Sequence, residues 1–144
     1  MNGKTFYEVP LGAYDILSLA LQEAGLPTSD LTEPNRRFFG LSDEHGLIGY
    51  VGVEGGGPDR LLRSLVVLPS RRGLGHGMQL VKHLEQCVAG EVHRLHLLTT
   101  TAAPFFRAHG FADADRTQAP TAIATSREFT ELCPASAAYL VKVL

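Results

Sequence analysis

Hydrophobic positions change their period several times along the 144-residue chain. Thr5–Val9 alternates and predicts a short strand. Ile16, Leu17, Ala20, Leu21 and Ala24 recur at helical spacing, and Gly25 followed by Pro27 stops that helix. Residues 28–37 read as a short helix or an irregular segment, with Asp30 able to cap Leu31 onward. Three runs rich in aromatic and branched residues come next: Phe38–Ser42, Leu47–Glu54 and Arg60–Leu68. Asp43-Glu-His-Gly46 and Gly55-Gly-Gly-Pro-Asp59 separate them with turn chemistry, which predicts an antiparallel meander. Leu80, Val81, Leu84 and Val88 then form one apolar stripe with polar residues between, an amphipathic helix ending near Gly90. Arg94–Leu98 predicts a strand, Ala102–His109 a short helix stopped by Gly110, and Ala137–Leu144 a closing strand. The order predicts a mixed sheet with helices packed on it, an α+β fold in a single domain spanning residues 1–144.

Composition narrows the function classes. Hydrophobic residues make up 44% of the chain and charged residues 19%, enough for a core and too few charges for disorder. The formal net charge of -2 argues against a nucleic-acid binder, which carries a strongly basic face. The charge is uneven, however. Residues 1–58 hold 3 basic and 8 acidic groups, residues 59–110 hold 7 and 3, and residues 111–144 hold 3 and 4. A basic middle in an acidic chain suits a small anionic ligand. Two cysteines, Cys87 and Cys133, make no disulfide framework. The start of the chain lacks the apolar stretch of a signal peptide, and no apolar run approaches membrane-spanning length. The expected setting is the reducing cytoplasm, with no membrane partner.

The chemistry concentrates in Leu61-Leu-Arg-Ser-Leu-Val-Val-Leu-Pro-Ser-Arg-Arg-Gly-Leu-Gly-His-Gly-Met78. A strand runs into Pro69, two arginines, three glycines on alternate positions, and then a helix. Such a junction points unpaired backbone N–H groups outward at the positive end of the helix dipole. Gly73, Gly75 and Gly77 remove side chains that would block the approach of a ligand, while Arg71 and Arg72 add two permanent charges. This suits a phosphate or pyrophosphate. A P-loop does not fit, because no Lys-Ser or Lys-Thr follows the glycines. The dinucleotide fingerprint does not fit either, because its spacing differs and the loop follows a meander. A glycine-rich turn without a ligand remains the alternative.

Arg72-Gly-Leu-Gly-His-Gly77 resembles R/Q-x-x-G-x-G/A, the acyl-CoA pyrophosphate signature of the GNAT superfamily of N-acyltransferases. Its neighbours agree with that likeness: residues 94–98 resemble the fifth strand, Phe105-Phe-Arg-Ala-His-Gly-Phe111 the aromatic helix ending in Gly-Phe, and Tyr139–Leu144 the last strand. Leu62-Arg-Ser-Leu65, Leu97-Leu-Thr-Thr-Thr101 and Arg127-Glu-Phe-Thr-Glu-Leu-Cys-Pro-Ala-Ser136 resemble, more narrowly, the small ArsN-type acetyltransferases of arsenic-resistance operons. The resemblance implies a mostly antiparallel sheet with helices on both faces and a cleft where the fourth and fifth strands splay apart.

The resemblance also implies roles. Gly73, Leu74, Gly75, His76 and Gly77, with Arg71 and Arg72 nearby, would hold the pyrophosphate of acetyl-CoA, the co-substrate. The backbone of Leu65 and Val67 would pair with the pantetheine arm as an added strand, and an N–H near Val66 or Val67 would polarise the thioester carbonyl. Phe105 and Phe106 join the cofactor contacts. Acyl transfer to an amine needs that amine neutral, through a base, a water chain or a depressed amine pKa. Glu54 is the first candidate base, with a solvated turn residue as the alternative, and Ser64 could hold a water. The family's usual acid is a tyrosine where this chain has Phe105 and Phe106. That departure keeps open a non-catalytic acyl-CoA-binding protein beside an N-acetyltransferase acting on a small, amino-acid-like amine.

Arg63 interrupts an apolar strand, and a buried arginine needs an anion, either a substrate carboxylate or Glu54 across the hairpin. Thr99 and Thr100 could contact substrate, while Thr101 could cap the next helix. Pro120–Ser136 is long for a connector, and Ile123, Arg127, Phe129 and Leu132 could form a helix over the cleft, bringing Arg127 and Cys133 to the substrate. The six histidines lack metal-ligand spacing, so no metal is expected. A sheet edge or terminal strand could support a homodimer.

Overall fold

The computed structural model describes residues 3–144. Its strands are β1 (Thr5–Glu8), β2 (Arg36–Asp43), β3 (Gly46–Glu54), β4 (Asp59–Val67), β5 (Arg94–Thr99), β6 (Ala112–Asp113) and β7 (Ala138–Val143). The helices are α1 (Tyr14–Glu23), α2 (His76–Val88), α3 (Ala103–Ala108) and α4 (Thr121–Ala124). The hydrogen-bonded strand order is β1-β2-β3-β4-β5-β7-β6. β4 and β5 run parallel, whereas β1–β2, β5–β7 and β6–β7 are antiparallel. The fold is mixed α+β with a mostly antiparallel sheet, as the patterning predicts. Among the described residues, no helix is long and apolar enough to cross a membrane.

The chain divides into two compact units, one from residues up to Val53 with Ser64–Cys87, the other from Glu54–Arg63 with Val88–Leu144. In the first, period-two alternation decides what each face of β2 and β3 covers. Phe38 and Tyr50 pack with Leu17 and Leu21 of α1, joined by Val9, Leu31 and Val66. Phe39, the next residue along, stacks on Phe6, and Phe6 stacks on His83 of α2. Leu80 of α2 reaches Gly49, the neighbour of Tyr50. The two helices therefore cover opposite faces of these strands. Ile16, expected on the inner stripe of α1, is 61% exposed, because the core-facing side of the helix runs through Tyr14, Leu17, Ala20 and Leu21.

Residues 28–35 are a run of turns, the irregular branch of the expectation, and Asp30 is fully buried with its carboxylate on Arg36 Nε at 2.9 Å. Pro120–Ser136 holds α4 and a separate π-helical turn, Glu128–Leu132, in place of one helix. Alternation also gives no sign of β6, which is only two residues long.

In the second unit the β4–β5 register covers only Asp59↔Arg94, Arg60↔Leu95 and Leu61↔His96. Both strands continue beyond it, and β5 stays paired on its other side with β7 from Arg94↔Val143 to Thr99↔Ala138. Leu61, Ile123 and Tyr139 form a core with Leu98, Ala119, Phe129 and Val141 against them. A polar line crosses the strands here. Arg94 Nε and His96 Nε2 both reach Asp59 Oδ1, at 2.8 and 2.7 Å, and His96 Nδ1 lies 2.7 Å from the Tyr139 hydroxyl. The donor and acceptor roles of the two His96 ring nitrogens along this line depend on its tautomer. Burial alone would raise the Asp59 carboxyl, but hydrogen bonds from His96 and Arg94 outweigh it and hold the group below its ordinary value.

Two predictions follow from these contacts. A Cβ at Gly49 would lie 2.1 Å from the Val66 carbonyl oxygen, whereas one at Gly12 meets nothing within 4 Å. Gly49→Ala is expected to cost about 2–3 kcal/mol in urea unfolding and Gly12→Ala far less. Asp59 binds its proton more weakly when folded, so its stabilisation is complete above the unfolded value of about 3.9 and is lost as pH falls through the lower folded value. Asp59→Asn should therefore lower stability at neutral pH and make acid unfolding below about pH 4 less steep than in the parent chain.

Candidate functional site

β4 ends at Val67, a single 3-10 turn spans Pro69–Arg71, and the chain enters α2 at His76. Gly73 and Gly75 have φ of +85° and +78°, a left-handed backbone that excludes most side chains. A Cβ at either would meet nothing within 4 Å, so the glycines serve conformation and leave space beside the main chain. The first bond of the helical ladder is Gln79 N–H to Gly75 O at 3.4 Å. The His76, Gly77 and Met78 amides precede that ladder, and among the described residues no group of the chain accepts from them. Arg72, Gly73, Leu74 and Gly75 are exposed. Open amides at the start of a 13-residue helix are a geometry that can hold an anion.

The two arginines part company. Arg71 turns to the β2–β3 turn, pairing with Asp43 and donating to the carbonyls of Gly46 and Leu47. The Arg71 guanidinium is thus engaged with a half-buried carboxylate of the chain. Burial would raise Asp43, but the His45 amide and Arg71 together hold it below its usual value. Arg72 Nε donates to Val67 O at 3.0 Å and stays exposed. His76 is 7% exposed, and its Nδ1 lies 3.2 Å from Gln79 Oε1, which also accepts from Lys4 Nζ at 2.9 Å.

Parity along β4 settles which main-chain groups are free of β3. Leu68 N–H donates to Ile48 O, and Val66 O faces Gly49, so even positions point to β3. Leu65 and Val67 point the other way, with both side chains half-buried while Val66 is in the core. Just before them Ser64 has φ of +58°, an unusual conformation for a side-chain-bearing residue inside a strand, and is 7% exposed.

The second unit gathers Glu54, Arg63, Glu128 and Cys133. Glu54, the last residue of β3, is 7% exposed, which removes the solvated-turn alternative. Its Oε1 accepts from Arg63 Nη1 at 2.8 Å. Arg63 Nε lies 3.6 Å from Glu128 Oε1, and the Cys133 thiol lies 3.7 Å from Glu128 Oε2. Arg63 thus meets two carboxylates of the chain itself, one of them the partner expected across the hairpin. The Cys133 thiol is pushed up to about 12, chiefly by burial and then by the Glu128 charge. Glu128 was not legible in the sequence. It lies five residues after Ile123, off the stripe an α-helix would bury, and only the wider π turn brings it inward. The one available signal was Arg63, whose burial demands anions.

The remaining expected residues divide. Thr99 Oγ1 accepts from Ala102 N–H at 2.9 Å just before α3, and no side chain, Thr101 included, caps that helix. Thr100 is exposed. Arg127 Nε pairs with Glu131 at 2.7 Å one turn on. Phe106 is buried against Phe111 in an edge-to-face contact, which makes it a core residue, and half-buried Phe105 packs on His109.

Residues 34–113 match the family described as Acetyltransferase (GNAT) domain. No curated protein matches the sequence. Among solved structures, N-acetylglutamate synthase from Neisseria gonorrhoeae, complexed with coenzyme A and N-acetyl-glutamate, aligns with a TM-score of 0.80 at 18% identity. That alignment covers 99% of this chain and 35% of the synthase, so the chain spans about a third of its length. A GNAT-family acetyltransferase from Staphylococcus aureus gives 0.76 at 16% identity, covering 99% of both chains. Rv2747 from Mycobacterium tuberculosis, solved in complex with CoA, gives 0.77 at 17%, covering 97% of this chain and 99% of the other. The glycine loop, the helix behind it and the strand order now have one common explanation: the chain belongs to the GNAT acetyltransferase family.

Proposed function

We propose that the chain is an acetyl-CoA-dependent N-acetyltransferase, one catalytic domain that moves an acetyl group to the amine of a small, amino-acid-like substrate by direct attack in a ternary complex. The observation that carries this reading is the start of α2, where the first-turn amides have no acceptor among the described residues and two left-handed glycines leave the main chain open. Acetyl-CoA would supply an acetyl group activated as a thioester. Gly73, Leu74, Gly75, His76 and Gly77 would bind its diphosphate, with Arg72 closing over it. Leu65 and Val67 would offer their outward main chain to the pantetheine arm, and an N–H near Val66 or Val67 would polarise the carbonyl.

Glu54 would take the amine's proton, directly or through a water held by Ser64. Its burial supports that role by keeping bulk water from a carboxylate that Arg63 holds in place. Arg63 already has two anions of the protein, so its part would be to orient Glu54 and not to bind a substrate carboxylate. Arg127, Cys133 and Thr100 remain the substrate contacts of this reading. Phe105 and Phe106 offer no proton to the departing thiolate, which would take one from solvent. The narrower ArsN-type reading, with a link to arsenic resistance, rests on the sequence stretches around Arg63, Thr99 and Arg127–Ser136.

The absence of a hydroxyl at Phe105 and Phe106 favours one second reading, an acyl-CoA-binding protein without turnover. Calorimetry and a thiol-trapping assay separate the two. Acetyl-CoA should bind the parent chain, Arg72→Ala should weaken it by roughly tenfold, and Gly75→Asp should abolish it through backbone strain and charge repulsion. With a panel of amino acids and polyamines, at least one amine should release free CoA, and Glu54→Gln should slow that release by about 10²-fold or more. Binding without release on the whole panel would favour the second reading, and no binding would overturn both.

A further inference from the structure

From the arrangement around the π-helical turn we infer that Glu128 is a positioning residue for Glu54, acting through Arg63. The inference rests on the reading of Glu54 as the base, and goes beyond it by naming what holds that carboxylate still.

A guanidinium is a planar fork, and its direction is fixed only when more than one edge is engaged. Arg63 uses Nη1 toward Glu54 at 2.8 Å and Nε toward Glu128 at 3.6 Å. With one anchor the long side chain can exchange rotamers; with two on different edges its plane is set, and with it the place of Glu54 Oε1. Glu128 is aimed in turn. The Cys133 N–H donates to Glu128 O at 3.1 Å, a bond spanning five residues that brings residue 133 back beside residue 128. The Cys133 thiol then lies 3.7 Å from Glu128 Oε2, leaving Oε1 to face Arg63. Burial of the Arg63, Glu54 and Glu128 side chains keeps bulk water from taking over these contacts. The order of support runs from the thiol of Cys133 to Glu128, to Arg63, to Glu54. A π turn suits this work because an α turn would carry residue 133 onto a different side from residue 128.

The test is a double-mutant cycle on the full chain, with acetyl-CoA and the fastest amine of the panel. Glu128→Gln leaves Arg63 its bond to Glu54, so the fold should persist, and circular dichroism checks it. Its kcat should fall by about tenfold with KM for acetyl-CoA unchanged, and Glu128→Asp should recover part of the loss. In a Glu54→Gln background the same Glu128→Gln change should cost nothing further, because the group it positions is already gone. Cys133→Ala, which removes the thiol from Glu128 but keeps every charge, should lower kcat in the same sense by about threefold with KM for the amine unchanged, where loss of a substrate contact would raise that KM, and serves if Glu128→Gln does not fold. Undiminished kcat in Glu128→Gln, or equal losses in both backgrounds, overturns the inference while leaving Glu54 as the base. Full turnover in Glu54→Gln, or no turnover with any amine, removes the base reading itself and this inference with it.

Discussion

A helix must begin somewhere, and its first amides must point at something. In this chain that constraint is met by leaving them open. Gly73 and Gly75 turn the backbone through left-handed conformations that bring it into α2 with no backbone acceptor among the described residues for His76, Gly77 or Met78. An uncapped and exposed helix start loses the stabilisation a serine or aspartate cap would give. The same feature, read as a binding surface, concentrates donors and the positive end of the dipole on one small anion. The loop is fastened from both sides: Arg71 ties it to the β2–β3 turn, and Arg72 ties it to the end of β4. An open cradle keeps its shape because the residues around it are committed.

The buried charges of the second unit follow a different logic. An arginine with no exposed side chain cannot be left to water, so its strand position obliges the protein to bring carboxylates to it. One comes from the hairpin partner strand and the other from the π turn sixty-five positions later in sequence. Ser64, directly after Arg63, takes a left-handed conformation in mid-strand. The strain at that residue and the charge at its neighbour fall on the same stretch of β4 as the main-chain groups that face away from β3.

The local half of this architecture was readable from the chain. Alternation and helical spacing place β1 to β5, β7, α1 and α2 to within a few residues, because burial on one face writes its period directly into neighbouring positions. Gly73, Gly75 and Gly77 with Arg72 mark the anion loop, since main-chain amides at a helix start need glycine and nearby positive charge and nothing distant. Local pattern says less where distant partners decide: Asp30 sits in a run of turns and pairs with Arg36, and α3 begins without the side-chain cap that Thr101 could have given.

Tertiary structure decided the rest. Which arginine of the Arg71–Arg72 pair stays by the loop depends on Asp43, a residue brought close only by the β2–β3 hairpin. That Arg63 is held by two carboxylates depends on Glu128, placed by a π turn that no α-helical period can announce. Sequence period reports which side of an element is buried. It carries no information on which distant charge will be buried with it, because ion pairing is set by position in space and not by spacing along the chain.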